Sequence, residues 1–433
     1  MTISEVRTSA WEQRLATATT RAAALDAADP LAGFVRRFLP AVDGALQAYL
    51  DGNSLGRPVL ATVDAMERFI RERWGTRLIQ GWTDEWMDWP TVIGDELGHA
   101  ALGAAPGQTI IADSTSVLIY KLARAALTTV PERTEIVIDD DNFPTDRYLV
   151  EGIAAELGLT LRWVSTDPQT GITVDQASEV LGDQTALLLA SHVAYRSGFV
   201  ADVGALTAAV HAAGGRVLWD LSHSVGSVPI KLDEWDVDFA VGCGYKYLNG
   251  GPGAPAFGYV RRDLQDVARQ PIQGWMGHAT PFAMGPGYQA HPGMRAFLTG
   301  TPPITAMVPL RVGIALLAEA GIGPIRRKSL ALTDFALELI EEWLLPLGVT
   351  VASPLAHDQR GGHLTIRRAG FAEVNDELYK RGVIPDFRAP DGIRLGLAPL
   401  STTYAEVVVA LAELHQILVG TPISGGSPQP GGS

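Results

Sequence analysis

From about residue 107 the chain alternates short apolar runs with amphipathic ones, and few folds accommodate that pattern. TIIAD (109–113), EIVID (135–139), LTLRWVS, TALLLAS, GRVLWD and DFAVGCG (238–244) read as strands. STSVLIYKLARAAL, DRYLVEGIAAELG and VGALTAAVHAAGG, which fall between them, read as helices. Strands alternating with helices predict an α/β domain around a mostly parallel sheet, with ligands beyond the carboxyl ends of the strands. The preceding segment is helical and closes in the turn DGNSLGRP. After residue 303 a long helical stretch, TIRRAG, a helix at FAEVNDELYKRG and the strand-like GIRLGLAPL read as a smaller α+β domain. The expected division is a helical arm over 1–60 that contributes to the small domain, a large α/β domain over 61–303, the small domain over 304–422, and a Gly/Ser/Pro tail over 423–433 without regular structure.

A chain of 433 residues, 47% of them hydrophobic, is long enough for two domains with a sizeable core. Its net charge of -14 argues against a nucleic-acid or anionic-membrane surface, since both need basic patches. No apolar stretch is long enough to span a bilayer, and the N-terminus lacks the apolar core of a signal peptide. A single cysteine, Cys243, excludes an internal disulfide framework and a multi-cysteine zinc site. It fits a reducing, cytoplasmic setting.

Polar residues gather where the strands should end. Ser114, Thr115 and Ser116 follow TIIAD and open a helix, as a helix cap or as an anion site of hydroxyls and backbone N–H groups. After EIVID comes DDNFPTD, in which Phe143 is a core plug or a stacking platform and Asp146 a helix cap or a functional carboxylate. Asp220 closes VLWD and His223 follows in LSHSVGSVP, as a turn cap with a structural histidine or as a pair in which His223 orders the carboxylate toward a protonated ring nitrogen. A carboxylate there is costly to bury without a cationic partner, and a protonated ring nitrogen would supply one. Lys246 stands in GCGYKYLNGGPGAP (242–255), between two tyrosines and among glycines that allow close backbone approach. Its glycines follow it and no Ser or Thr comes next, so it is not a phosphate-loop lysine. A desolvated lysine at such a place becomes a nucleophile for carbonyl carbon.

A phosphate cradle, a stacking aromatic, an acid for a ring nitrogen and an imine-forming lysine are together the requirements of pyridoxal 5'-phosphate. Each element alone is unspecific; their order along consecutive strand ends carries the assignment. Tyr245 would then donate to the phosphate or act as an acid on the reacting atoms. The sequence shows no HExxH or paired metal spacing, no GxSxG and no Rossmann glycine fingerprint, and no metal is expected. Cys243 reads as a small buried hydrophobe.

YLDGNSLGRP, WGTRLIQGW, ADSTSV, NFPTD, DLSHSVG, YKYLNGGPG, GWMGH and GTPPI, together with the span from LDAADPLAGF to RLGLAPL, resemble the kynureninases over nearly the whole chain. These are pyridoxal-phosphate hydrolases of the aspartate-aminotransferase (type I) fold. The resemblance implies hydrolytic Cβ–Cγ cleavage of L-kynurenine to anthranilate and L-alanine. It makes Lys246 the covalent anchor of the cofactor, Asp220 the partner of its ring nitrogen with His223 close by, and Phe143 the stacking ring. Pro144, Thr145 and Asp146 of the FPTD block, Thr115, Ser116, Ser191 and Tyr245 would complete the cofactor's surroundings. Trp275 of GWMGH and Thr301 of GTPPI resemble residues that reach the phosphate from a neighbouring subunit, which implies a homodimer with shared sites. Arg394 would clamp the substrate α-carboxylate. Gly300 and Trp82 resemble the bacterial type that prefers kynurenine to its 3-hydroxy form. Ala194 in SHVAYRSG departs from the pattern, where a polar residue, often Asn, is expected. The alternatives are another type I enzyme, such as a cysteine desulfurase or an aminotransferase, and a non-catalytic regulator on the same fold. A regulator would usually carry a basic DNA-binding segment, and none is visible.

Overall fold

A computed structural model describes residues 3–42 and 44–420, with side chains from Ala10 onward. The expected tail over 423–433 lies outside the described residues. Helix α1 (Ile3–Ala28) leads to the DGNSLGRP turn and a run of short helical turns over residues 61–102. The large domain then builds a seven-stranded sheet from β1 (Thr109–Ala112), β2 (Glu135–Asp139), β3 (Thr160–Val164), β4 (Thr185–Ser191), β5 (Arg216–Asp220), β6 (Phe239–Gly242) and β7 (Ala256–Val260). Their spatial order is β1-β7-β6-β5-β4-β2-β3, and β7 alone runs antiparallel to its neighbours. Helices α2 (Thr115–Thr128), α3 (Pro144–Leu157) and α4 (Val203–Ala212) make the crossovers.

Strands β1, β6 and β7 are buried along their whole length, and β4 along all but its last residue. Such strands read as continuous Ile, Val, Leu and Ala runs because helices cover both faces of the sheet. The two-residue period still sorts the side chains: Ile136, Ile138, Leu187 and Leu189 join one core with α2, while Val137, Leu188 and Ala190 join the other. Strand β7 is absent from the sequence reading because Gly258 and the flanking GGPGAP interrupt its apolar signal. In the sheet, a Cβ on Gly258 would meet Leu122 of α2 at 3.4 Å, so the glycine permits close helix–sheet packing.

Helices α5 (Ile304–Ala320) and α6 (Ile322–Trp343) follow, bent by 85° at a break that contains Gly321 (φ +75). Ile304, Met307, Ile314 and Ile325 belong to the large-domain core. From Leu332 onward α6 belongs to a separate core that also takes Ala18 and Ala22 of α1, and Leu50. That core packs on an antiparallel sheet of β8 (Thr350–Val351), β9 (His363–Arg367), β10 (Asp386–Arg388) and β11 (Gly392–Gly396), in the order β10-β11-β9-β8. Helices α7 (Phe371–Lys380) and α8 (Tyr404–Gly420) complete it.

Candidate active site

The loop after β6 carries Lys246 into the interior. Its Nζ lies 2.9 Å from His223 Nε2 and 6.0 Å from the centroid of the Phe143 ring. The loop is packed against glycines from elsewhere in the chain. A Cβ on Gly56, in the DGNSLGRP turn, would stand 2.3 Å from the Lys246 carbonyl oxygen, and one on Gly313 of α5 would stand 1.9 Å from that of Leu248. Burial and the neighbouring Lys246 charge hold His223 well below the usual imidazole range, so the ring is neutral. With Nε2 accepting from Lys246, the proton sits on Nδ1, which is buried without a partner.

Two carboxyl groups, Asp220 and Asp146, face Lys246, and a third, Asp139, stands beside Asp146. Asp220 ends β5 and accepts the Ser222 N–H at 2.8 Å through Oδ1. Asp146 lies in the first turn of α3, with Oδ2 buried and unpartnered. Asp139 ends β2 and is pushed up to about 7, first by burial and then by Asp141. Burial raises Asp220 above the usual carboxylate range despite the pull of Lys246. It raises Asp146 further, with Asp220 and Asp139 adding repulsion. A cation placed beside these buried carboxyl groups would offset the cost of ionising them.

Phe143 stands between β2 and α3, where Pro144 takes the first helical position and Thr145 the next. Its ring meets Tyr195 edge-on at 5.4 Å, and its N–H donates to Asn142 Oδ1 at 2.7 Å. The same oxygen accepts from Ser191 Oγ at 2.9 Å, so Asn142 ties β4 to the stacking loop. Neither Asn142 nor Tyr195 is among the sequence-predicted residues, although Asn142 immediately precedes FPTD. Tyr245 is half-buried, and its hydroxyl is raised above the usual phenol range, mainly by burial. Thr115 and Ser116 open α2, where the Ser114 side chain makes no capping bond. Ala194 packs partly buried against the large-domain core.

A second group forms elsewhere on the chain. Trp82 meets Trp86 edge-on at 5.7 Å and shares an open groove with Trp74, Thr301 and Pro303. Trp275 packs edge-on against Phe282 at 5.7 Å. No hydrogen bond or ring contact among the described residues joins this group to the Lys246 cluster. Lys121, which sequence reasoning missed, links it to the start of α2. The buried Nζ bonds Asp113 at 2.5 Å and the Phe297 carbonyl at 2.8 Å, just before Gly300 and Thr301. Its position inside the helical STSVLIYKLARAAL gave no sign of this role. Arg394, on β11, is fully buried among Asp386, Ser54 and the Tyr195 carbonyl.

The residues present fit pyridoxal phosphate. An amine nucleophile, an aromatic ring and buried carboxyl groups lie together, and Asp146 and His223 keep buried polar atoms without a partner. Comparisons of the chain agree. The Kynureninase C-terminal domain matches residues 325–414. The kynureninase of Pseudomonas fluorescens is 40% identical over 403 residues, 91% of this chain and 94% of that protein. That of Burkholderia pseudomallei (strain 1106a) is 40% identical over 405 residues, 92% and 94% of the two chains. The chain belongs to the kynureninase family. It is accordingly a pyridoxal-phosphate enzyme of the type I fold that hydrolyses kynurenine.

Solved structures outside the kynureninases place the fold. A cysteine desulfurase from Thermococcus onnurineus NA1 superposes with a TM-score of 0.74 at 19% identity, covering 89% of this chain and 98% of its own. C-DES with glycine covalently linked to its pyridoxal-phosphate cofactor gives 0.75 at 18% identity, covering 85% and 96%. At that identity the likeness concerns the fold alone. A desulfurase needs a mobile nucleophilic cysteine, whereas Cys243 is buried and its thiol is raised by burial.

Proposed function

We propose that Lys246 is the covalent anchor of the cofactor and, once displaced by substrate, the base that takes the proton from the substrate α-carbon. The observation that carries this reading is the buried 2.9 Å contact between Lys246 Nζ and a neutral His223. That contact gives the amine an acceptor without adding a second charge. When bound, pyridoxal phosphate supplies an aldehyde that condenses with amines and a ring that withdraws electrons.

The protein's own groups do the rest. Asp220, with Asp146 close by, would keep a ring nitrogen protonated, and Phe143, held by Asn142 and Tyr195, would offer its face to the ring. Thr115, Ser116 and Tyr245 would hold the phosphate side, and Ser191, bonded to Asn142 at the β4 end, would contact the cofactor. Arg394 binds the α-carboxylate of kynurenine. Water adds across the side-chain ketone, the Cβ–Cγ bond breaks, and Tyr245 delivers a proton to the β-carbon. The products are anthranilate and L-alanine. Gly300 and Trp82 fit the unsubstituted aryl ring, so L-kynurenine is the preferred substrate over its 3-hydroxy form.

The working unit is a homodimer in which Trp275 and Thr301 of one protomer complete the site of the other. The exposed aromatic groove around Trp74 and Trp82 supports this, since a face of that kind on a folded chain usually meets a partner. The deciding experiment mixes the purified yellow protein with L-kynurenine and follows anthranilate fluorescence and alanine. Equimolar release of both, faster than with 3-hydroxykynurenine, is the expected outcome. A yellow protein inert to both substrates would overturn the reading.

A further inference from the structure

Arg394 cannot clamp a substrate carboxylate in the arrangement in which the structure holds it. A guanidinium has five N–H donors. Nε donates to Asp386 Oδ2 at 2.6 Å, NH1 to the Tyr195 carbonyl at 2.6 Å, and NH2 to Ser54 Oγ at 2.9 Å. NH2 also touches Asp386 Oδ2. These four contacts leave one hydrogen, on NH1, whereas a bidentate clamp needs two on adjacent nitrogens. The side-on pair, Nε with NH2, is the pair that Asp386 occupies.

Asp386 has a second place to go. It stands directly across from Arg394 in the β10–β11 pairing, and its Oδ2 also accepts from Arg388 Nε at 2.9 Å. The three side chains step outward: Arg394 is 1% exposed, Asp386 15% and Arg388 38%. Arg388 lines a small cavity of about 120 Å³ with Arg196, Thr365 and Pro390. A carboxylate that leaves Arg394 toward solvent therefore remains on Arg388. Without substrate, a fully buried guanidinium needs a counter-ion, and Asp386 provides it.

We propose that Asp386 is a resident counter-ion that the substrate's α-carboxylate displaces from Arg394, and that Arg388 receives it. This rests on Arg394 being the carboxylate clamp. The exchange makes Asp386 a positioning residue that lowers affinity by the fraction of time it holds the fork. It leaves selectivity for an α-carboxylate intact, since an amine without one has nothing to exchange.

The test uses the holoenzyme and two ligands: L-kynurenine, and the amine that lacks its α-carboxyl group, with binding read from the cofactor's absorbance and KM from anthranilate release. Asp386→Asn should bind L-kynurenine about three- to tenfold more tightly and leave the amine unchanged, as expected on removing a competitor. Arg388→Gln, which strands Asp386 on Arg394, should weaken L-kynurenine by a similar factor. In the double variant the Arg388 effect should vanish. Weaker or unchanged binding of L-kynurenine by Asp386→Asn, or an equal change for both ligands, would overturn the exchange. Should Asp386→Asn fail to fold, unchanged binding by Arg388→Gln would overturn it instead. The clamp reading is tested separately: Arg394→Gln should weaken L-kynurenine and not the amine, and loss of both alike would sink that reading whatever the other variants do.

Discussion

Lys246 is surrounded by residues that give its amine an acceptor and no freedom. His223 faces the Nζ, Phe143 and Tyr245 each lie 6.0 Å from it, and the backbone is held against Gly56. Replacing it with alanine removes both the anchor and the base, so Lys246→Ala should lower kcat by at least about a thousandfold, read from anthranilate release. Retention of wild-type turnover would refute the role. His192, one residue past β4, shows a different kind of constraint. It is buried with Nδ1 unpartnered, and burial pulls it down to about 3. The imidazole is neutral in the folded chain and takes up a proton on unfolding below about pH 6.5. Stability attached to it is therefore present above that pH and lost as pH falls toward 3. Relative to His192→Gln, which does not titrate, the protein should lose about 2 kcal/mol between pH 7.5 and pH 5. Denaturant midpoints at the two pH values check this, and parallel curves for the two proteins would contradict it.

The elements bring together residues that their own sequences do not connect. Gly313 lies in the middle of α5, where glycine is ordinarily unfavourable. A Cβ there would stand 1.9 Å from the Leu248 carbonyl oxygen, a backbone atom that cannot turn aside. Gly313→Ala should push α5 off the lysine loop, with a cost of about 1–3 kcal/mol and weaker cofactor retention. Thermal melting and the cofactor's absorbance report the two effects, and a variant that keeps both would show that the loop can shift. The strand ends were legible because Asp220, Asp146 and Lys246 each follow an apolar run, and that order survives the loss of any one residue. Gly313, Lys121, Asn142 and Asp386 were not, because their importance lies in contacts across the fold. Lys121 looks like any polar residue in an amphipathic helix, and only the packing of residues 297–299 against Asp113 reveals its three bonds. Strand β7 was hidden for a local reason, since Gly258 and the flanking GGPGAP interrupt its apolar run. The domain division turns on α6. We propose that the small domain begins within that helix, between Ile325 and Leu332, rather than at residue 304, because the buried side chains change core there.

At the scale of the molecule, the protomer leaves apolar side chains in water over the 61–102 and 272–302 segments. Trp74 is 53% exposed, Ile79 78%, Phe282 62% and Met284 74%. A soluble chain seldom keeps so many large apolar groups uncovered without a partner. The same segments carry Trp82, Trp275 and Thr301, which no hydrogen bond or ring contact among the described residues joins to the Lys246 cluster. The proposed two-fold pairing would answer both observations, since it would cover the apolar side chains and bring each second group to the other protomer's lysine. Ile79→Asp, a change at an exposed position, should leave the protomer folded but shift its mass in solution from a dimer toward the 46.2 kDa monomer and remove activity with it. An active monomer would end the shared-site reading. Mixing decides it more sharply. Lys246→Ala and Thr301→Glu should each be inactive alone, yet after subunit exchange half of the dimers carry one copy of each. In those dimers one site combines the intact lysine of one protomer with the intact threonine of the other, so activity should recover to about a quarter of wild type. If both groups served the same protomer's site, no mixture could restore it, because every site would lack one or the other.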